Sequence, residues 1–153
     1  MQLPFALLAT AVLVPSLPPA AGPAQLRAAA HDTYQWYDAA YPVVASGLGD
    51  HRYDTQLTDY RMSEVVRRRQ HINKLLAQVR ALSTSGWSKD DRIDRILFES
   101  QLTSQDFFGR RLDPERTDPQ LYVNECTNSI FTLLQKDYAP HHTRALAATT
   151  RLE

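Results

Sequence analysis

The chain has 153 residues, room for one modest domain with a limited core. Lys plus Arg and Asp plus Glu number 17 each, so charge gives no pull toward nucleic acid and supplies neither an acidic tail nor a polybasic membrane arm. The single cysteine, Cys126, excludes an internal disulfide and a thiolate-rich zinc site, and it reads as a small buried apolar residue on a helix.

Residues 1–24, MQLPFALLATAVLVPSLPPAAGPA, read as a signal peptide. Phe5 to Val14 is almost wholly apolar but too short to span a bilayer as a helix. Pro15, Pro18 and Pro19 then interrupt it, and Gly22 and Ala24 are the small residues a signal peptidase reads, with the cut before Gln25. No Lys or Arg precedes the apolar run. The expectation is an exported protein, periplasmic or extracellular, with no stable membrane span. Residues 25–153 form its helical domain.

Gln25 to about Val44 has the alanines and long side chains of a helix. Leu26, Ala29, Ala30, Thr33, Tyr37 and Ala40 fall on its apolar face. Pro42 disfavours helical geometry at Tyr41 and predicts a bend or an end there. Tyr41 to Tyr60, YPVVASGLGDHRYDTQLTDY, reads as an ordered irregular loop, packed between the first two helices, with a sharp turn at Gly47 and Gly49. Ser63 predicts an N-cap with Glu64 in the first turn. Val65, Ile72, Leu75, Leu76, Val79 and Leu82 recur at threes and fours and give the second helix one buried face. Arg67, Arg68 and Arg69 cannot share a patch, because successive helical residues diverge by about 100°. The run reads as solvated surface rather than as an anion site, with Glu64 paired to Arg67 or Arg68.

Ser83 to Gly86 stops that helix. Ser88 and Asp91 predict a capping box that opens a third helix near Lys89 and carries it to about Leu112. Its inner face is expected to be Ile93, Ile96, Leu97, Ser100, Ser104, Phe107 and Phe108, with surface pairs Asp91–Arg95 and Asp106–Arg110. Asp118 and Pro119 open a fourth helix, driven by Leu121, Val123, Cys126, Ile130, Phe131, Leu133 and Leu134. Pro140 opens a fifth, with Arg144, Leu146 and Leu152. The fifth carries no Gly, Asn or Pro terminator before Glu153, which predicts continuation of the domain beyond this residue. No alternating strand pattern occurs after the leader. The fold class is all-α, about five helices, the amino-terminal part of a larger helical domain.

Catalytic motifs are missing from the sequence. No H-E-x-x-H, G-x-S-x-G, phosphate-binding glycine loop or C-x-x-C is present. His141 and His142 are adjacent, diverge on a helix and read as exposed, and His71 reads as a boundary residue. Asp50, His51 and Arg52, with Asp54, remain as candidates to line a substrate cleft, since a carboxylate beside His fixes its charge and tautomer. The competing reading has them satisfying backbone groups in the loop.

Pro42, Leu48, Gly49, Arg52, Tyr53, Asp54, Leu57, Thr58 and Asp59 reproduce a "P…LG…RYD…LTD" pattern. Asp118, Pro119, Tyr122, Leu133, Leu134, Asp137, Pro140, Arg144, Leu146, Arg151 and Leu152 follow a second, more generic one. From about Gln25 to its end the chain resembles the opening of a large bacterial family, the domain-of-unknown-function family 885. The resemblance implies a longer, helical, exported protein similar to zinc metallopeptidases, with a deep cleft and a His/Glu metal motif downstream of this region. Zinc and a peptide substrate would belong to the complete protein. This chain would hold no cofactor and no catalytic or metal-binding residue, and its partner would be the remainder of its own domain. The alternatives are a free-standing helical binding or scaffold protein of the envelope, and a small enzyme using Asp50, His51 and Arg52.

Overall fold

The computed structural model describes residues 22–153, and all but the last three residues of the leader read over 1–24 lie outside them. The described residues are helical, with no strand among them. Five helices of ten residues or more carry the fold, as the periodicity predicts: α1 (Pro23–Ala40), α3 (Met62–Ala81), α4 (Lys89–Phe107), α6 (Pro119–Gln135) and α7 (His141–Thr150). Two short ones intervene, α2 (Pro42–Leu48) and α5 (Pro114–Thr117). Pro23 and Ala24, read as the end of the leader, form the first turn of α1.

Tyr41 ends α1 as Pro42 demands. Its backbone leaves helical space (φ −132°, ψ 67°), and Pro42 then restarts the chain as the first residue of α2. The sharp turn falls at Gly49 alone. Gly49 takes φ 97°, where a Cβ is disfavoured. Its N–H donates to Ser46 O (3.1 Å) and the Asp50 N–H donates to Ala45 O (2.9 Å), a Schellman termination. Gly47 stays inside α2. The stretch read as a loop is therefore helical over Pro42–Leu48, makes a tight 3₁₀ turn over His51–Tyr53, and is irregular only from Asp54 to Arg61.

The start of α3 differs from the expected Ser63 cap. Met62 already belongs to the helix, and the Asp59 carboxylate holds the entry by accepting from the Arg61 backbone N–H (2.9 Å) and side chain. Ser88 caps α4 as expected, accepting from the Asp91 N–H (3.1 Å) while its hydroxyl donates to the Asp91 carboxylate (2.6 Å). Asp118 accepts from the Gln120 N–H (2.9 Å) at the start of α6, with Pro119 as first helical residue.

The main core lies where α1, α3 and α4 meet. Leu26 of α1, Ile72, Leu75, Leu76 and Val79 of α3, and Phe98 and Leu102 of α4 are buried together with Trp87 from the connection. The apolar faces read for α1 and α3 are the ones buried, which follows from their strict spacing at threes and fours. A smaller cluster joins Leu133 of α6 to Ala147 and Ala148 of α7.

The face read for α4 is not the buried one. Ile93, Ile96, Leu97, Phe107 and Phe108 are exposed, while Phe98, Leu102 and Asp106 face inward. Two apolar stripes compete on this helix. The longer one dominates the sequence pattern, but the shorter one meets α3, because its charges are satisfied locally. Arg95 donates to the Val79 carbonyl (3.2 Å) and pairs with Glu99 (3.3 Å), and Asp91 pairs with Arg27 of α1 (2.7 Å) rather than with Arg95. Asp106–Arg110 and Glu64–Arg67 do form. In α6, Val123, Phe131, Leu134 and Cys126 are exposed, and so is Leu146 of α7. Cys126 lies on a helix as read, but it is exposed and not buried.

Arginines correct the sequence reading most. Arg68 and Arg69 are not solvated surface. Arg68 is buried, and Arg69 spans to Asp113 (2.5 Å) and Glu115 (2.6 Å) beyond α4. No described helix is long and apolar enough to cross a membrane.

Candidate functional site

Asp50, His51 and Arg52 sit on the 3₁₀ turn after Gly49, and the structure divides them. The Asp50 carboxylate accepts from the Arg52 backbone N–H (3.1 Å) and caps the turn. It is also forked by Arg52 Nε (2.9 Å) and Nη2 (2.6 Å), which holds its pKa down at about 2. Arg52 Nη1 continues to Gln35 of α1 (2.7 Å). This pair fastens the turn to α1 and leaves no ionisable group free to act as acid or base near neutral pH.

His51 turns the other way. Its Nδ1 lies 3.1 Å from Asp54 Oδ2, and its ring stacks on Tyr138 with centroids 3.3 Å apart. Asp54 is the centre of the cluster. Its buried carboxylate also accepts from the Ser46 hydroxyl (2.6 Å) and the Tyr138 hydroxyl (2.5 Å). Ser46 in turn accepts from Arg151 Nη2 (2.8 Å), and Arg151 reaches Ser129 O (2.7 Å) and Tyr53 O (3.3 Å). The network therefore joins α2, the 3₁₀ turn, α6 and the end of α7. Arg144, seven residues before Arg151 and on the same side of α7, donates to the carbonyls of Leu134 (3.0 Å) and Ala139 (2.9 Å) and to Asp137 (2.5 Å). Glu125 of α6 accepts from the Thr58 N–H (2.9 Å). The Tyr41 to Tyr60 stretch thus docks the carboxyl-terminal helices as well as linking the first ones.

Beside this network is an open depression of about 410 Å³ lined by His51, Arg52, Asp54, Thr55, Tyr138 and Leu146 among others. A His–Asp pair in such a place can orient an imidazole. Here the Asp is occupied by three side-chain donors, and among the described residues no serine, threonine or cysteine is hydrogen-bonded to the imidazole. The arrangement is that of a structural lock with one imidazole whose side chain is 25% exposed.

Sequence reasoning singled out Asp54 but not its partners Ser46 and Tyr138, and it named Arg151 only within a generic pattern, with no link to Asp54. The available signals were the three-residue spacing of His51 and Asp54 and the seven-residue spacing of Arg144 and Arg151, two turns apart on one helix face. Burial of the Tyr138 phenol, followed by its bond to Asp54, raises its pKa from 10.0 to about 12. The folded chain therefore keeps a proton on Tyr138 that the unfolded chain loses first. Its contribution to stability is complete below pH 10 and disappears as pH rises to about 12. Urea unfolding across that range should show falling stability, and Tyr138→Phe should flatten the fall. An unchanged slope in the variant would refute the linkage.

Among the described residues no three His, Cys, Asp or Glu side chains are grouped to hold a metal ion. His51 stands with one carboxylate and a phenol, and His141 and His142 are exposed. This donor set does not fit the zinc that the resemblance implies for a complete protein. The chain matches no known protein family, no curated protein and no solved structure.

Proposed function

We propose that this chain is the amino-terminal helical portion of a larger exported protein similar to family 885, a zinc-dependent peptidase when complete. In that reading the portion is not catalytic by itself. It packs on the remainder of its own domain and helps to wall a peptide-binding cleft, with Asp50, His51 and Arg52 beside it.

The observation that carries the reading is the outward apolar stripe of α4. Ile93, Ile96, Leu97, Phe107 and Phe108 repeat at helical spacing and are 42–63% exposed. Among the described residues, eighteen large apolar or aromatic side chains are exposed against fourteen buried hydrophobic ones. Single exposed leucines are ordinary, but a stripe along one helix marks a surface that meets other protein. The polar cluster supports the same division of labour, since the Asp54 carboxylate is committed to Ser46, His51 and Tyr138 and ties α2 to the carboxyl-terminal helices.

Light scattering on residues 1–153 should show self-association through this stripe, and Leu97→Lys with Phe108→Glu should return a monomer of unchanged helicity. A clean monomer of the unaltered chain would overturn the packing role and favour the free-standing envelope binding protein. Chelator-sensitive peptidase activity of residues 1–153 alone would overturn the assignment of catalysis to the rest of the protein.

A further inference from the structure

Basic and acidic residues balance over the whole chain, so a local excess of one sign is made by the fold. Such an excess surrounds a groove of about 500 Å³ between α3 and the end of α4. Arg80 of α3 lines it together with Arg110 and Arg111 from the segment after α4, beside Thr103 and Asp106. Adjacent residues of an α-helix diverge by about 100°. Arg110 and Arg111 nonetheless reach the same groove, because Phe108–Leu112 continues α4 as a π-helical turn. The Asp113 N–H closes it on the Phe108 carbonyl (3.2 Å). A π-turn spreads more residues over each revolution, so neighbouring side chains point closer together, and single π-turns recur at functional sites.

Two of the three guanidiniums are held in place. Arg80 donates through Nε to Glu99 (2.9 Å) and through Nη2 to Thr103 Oγ1 (3.3 Å). Arg110 donates through Nη2 to the buried Asp106 carboxylate. A guanidinium has five N–H donors, so each keeps others. Their side chains are 54% and 62% exposed, and a ligand in solution reaches them. Arg111 is exposed and makes no ion pair among the described residues. Glu99 also takes Arg95 (3.3 Å), so the linked cluster sets four arginines against two carboxylates, an excess of two positive charges.

We infer that this groove is a binding site for a dianionic phosphoryl group, held by Arg80, Arg110 and Arg111. A carboxylate fills one guanidinium fork with one charge, whereas a phosphate dianion offers three oxygens to donors from several sides and matches the excess of two charges. Acceptors that already fix Arg80 and Arg110 lower the cost of ordering them around a ligand. The site rests neither on the Asp54 network nor on the reading of the chain as part of a peptidase.

The probes are inorganic phosphate and phenyl phosphate, titrated calorimetrically into residues 1–153 at pH 8, above the second phosphate pKa of about 6. Acetate and benzoate are their carboxylate counterparts. Both phosphates should saturate one site, with both carboxylates at least about tenfold weaker, the loss expected for a charge-assisted bond. Tighter binding of phenyl phosphate than of inorganic phosphate assigns the site to a phosphate ester, and the reverse assigns it to free phosphate. Arg111→Gln, at an exposed side chain with no ion-pair partner in the fold, should keep its helicity and lose phosphate binding by about tenfold or more. Arg92→Gln, exposed near the other end of α4, should leave binding unchanged. Absence of saturable phosphate binding, equal binding of the carboxylates, full binding by Arg111→Gln, or an equal loss in Arg92→Gln would each overturn the inference. The comparison of phosphates with carboxylates needs no variant, so it stands whether or not Arg111→Gln folds.

Discussion

Replacing Asp54 with alanine should destabilise the chain by roughly 3–5 kcal/mol, the range found when one partner of a buried charged network is removed. The reason lies in what is left behind. The Ser46 hydroxyl, the Tyr138 hydroxyl and His51 Nδ1 all point at this carboxylate. Arg151, 5% exposed, carries a buried positive charge whose link to Asp54 runs through Ser46 Oγ. Alanine removes the acceptor that Ser46, Tyr138 and His51 share and the anion nearest Arg151. Ser46 retains the Pro42 carbonyl (3.1 Å), but the Tyr138 hydroxyl loses its partner, and a buried donor with no acceptor costs about 1–3 kcal/mol by itself. For a domain of this size the loss should lower Tm by about 10 °C. Thermal unfolding followed by circular dichroism measures it. A fall of less than about 1 kcal/mol would show that water replaces the carboxylate without penalty and that the cluster is not a lock.

Asp54→Asn separates charge from shape. Ser46 and Tyr138 donate to different carboxylate oxygens, so the amide keeps an acceptor for one of them, turns an NH2 toward the other and leaves no anion for Arg151; it should fall between the native chain and the alanine variant. Tyr138→Phe and Ser46→Ala should combine non-additively with Asp54→Ala, since all three remove overlapping parts of one network.

How far the sequence reaches depends on whether an interaction is periodic or convergent. α1 and α3 were legible because their buried positions recur at helical spacing, from Leu26 to Thr33 and from Val65 to Val79. Tyr41–Pro42 was legible because proline acts on its immediate neighbour. The Asp54 network was not legible as a whole, because Ser46, Asp54, Tyr138 and Arg151 come from four places that only the folded chain brings together. Arg68 misled for a related reason. Its neighbours Arg67 and Arg69 make a charged run in sequence, while one helical step of about 100° sends Arg68 alone into the interior. Asp50 and Arg52, read as candidates to line a substrate cleft, make a local cap and fork, two residues apart. The short 3₁₀ turn and α2 were hidden inside a stretch whose glycines and prolines look like loop.

The two apolar stripes of α4 give the most discriminating substitution pair. Leu102 is completely buried against α3, so Leu102→Ala should cost about 3–5 kcal/mol through lost transfer energy and the cavity it leaves. Leu97, 63% exposed on the outer stripe, should give a change within about 0.5 kcal/mol when replaced by alanine in residues 1–153. The sequence reading put Leu97 on the inner face and did not name Leu102, since Ile93, Ile96 and Leu97 make the denser apolar pattern. If the outer stripe meets the remainder of a larger protein, the same Leu97→Ala placed in that longer chain should become costly, by about 2 kcal/mol or more, because the site is then a packed interior. A neutral Leu97→Ala in both contexts would place the stripe on a free surface and remove the observation on which the packing role rests. Urea unfolding of the two alanine variants, in the short chain and in the longer one, makes the comparison with no assay of activity. It therefore tests the architecture separately from any chemistry the complete protein performs.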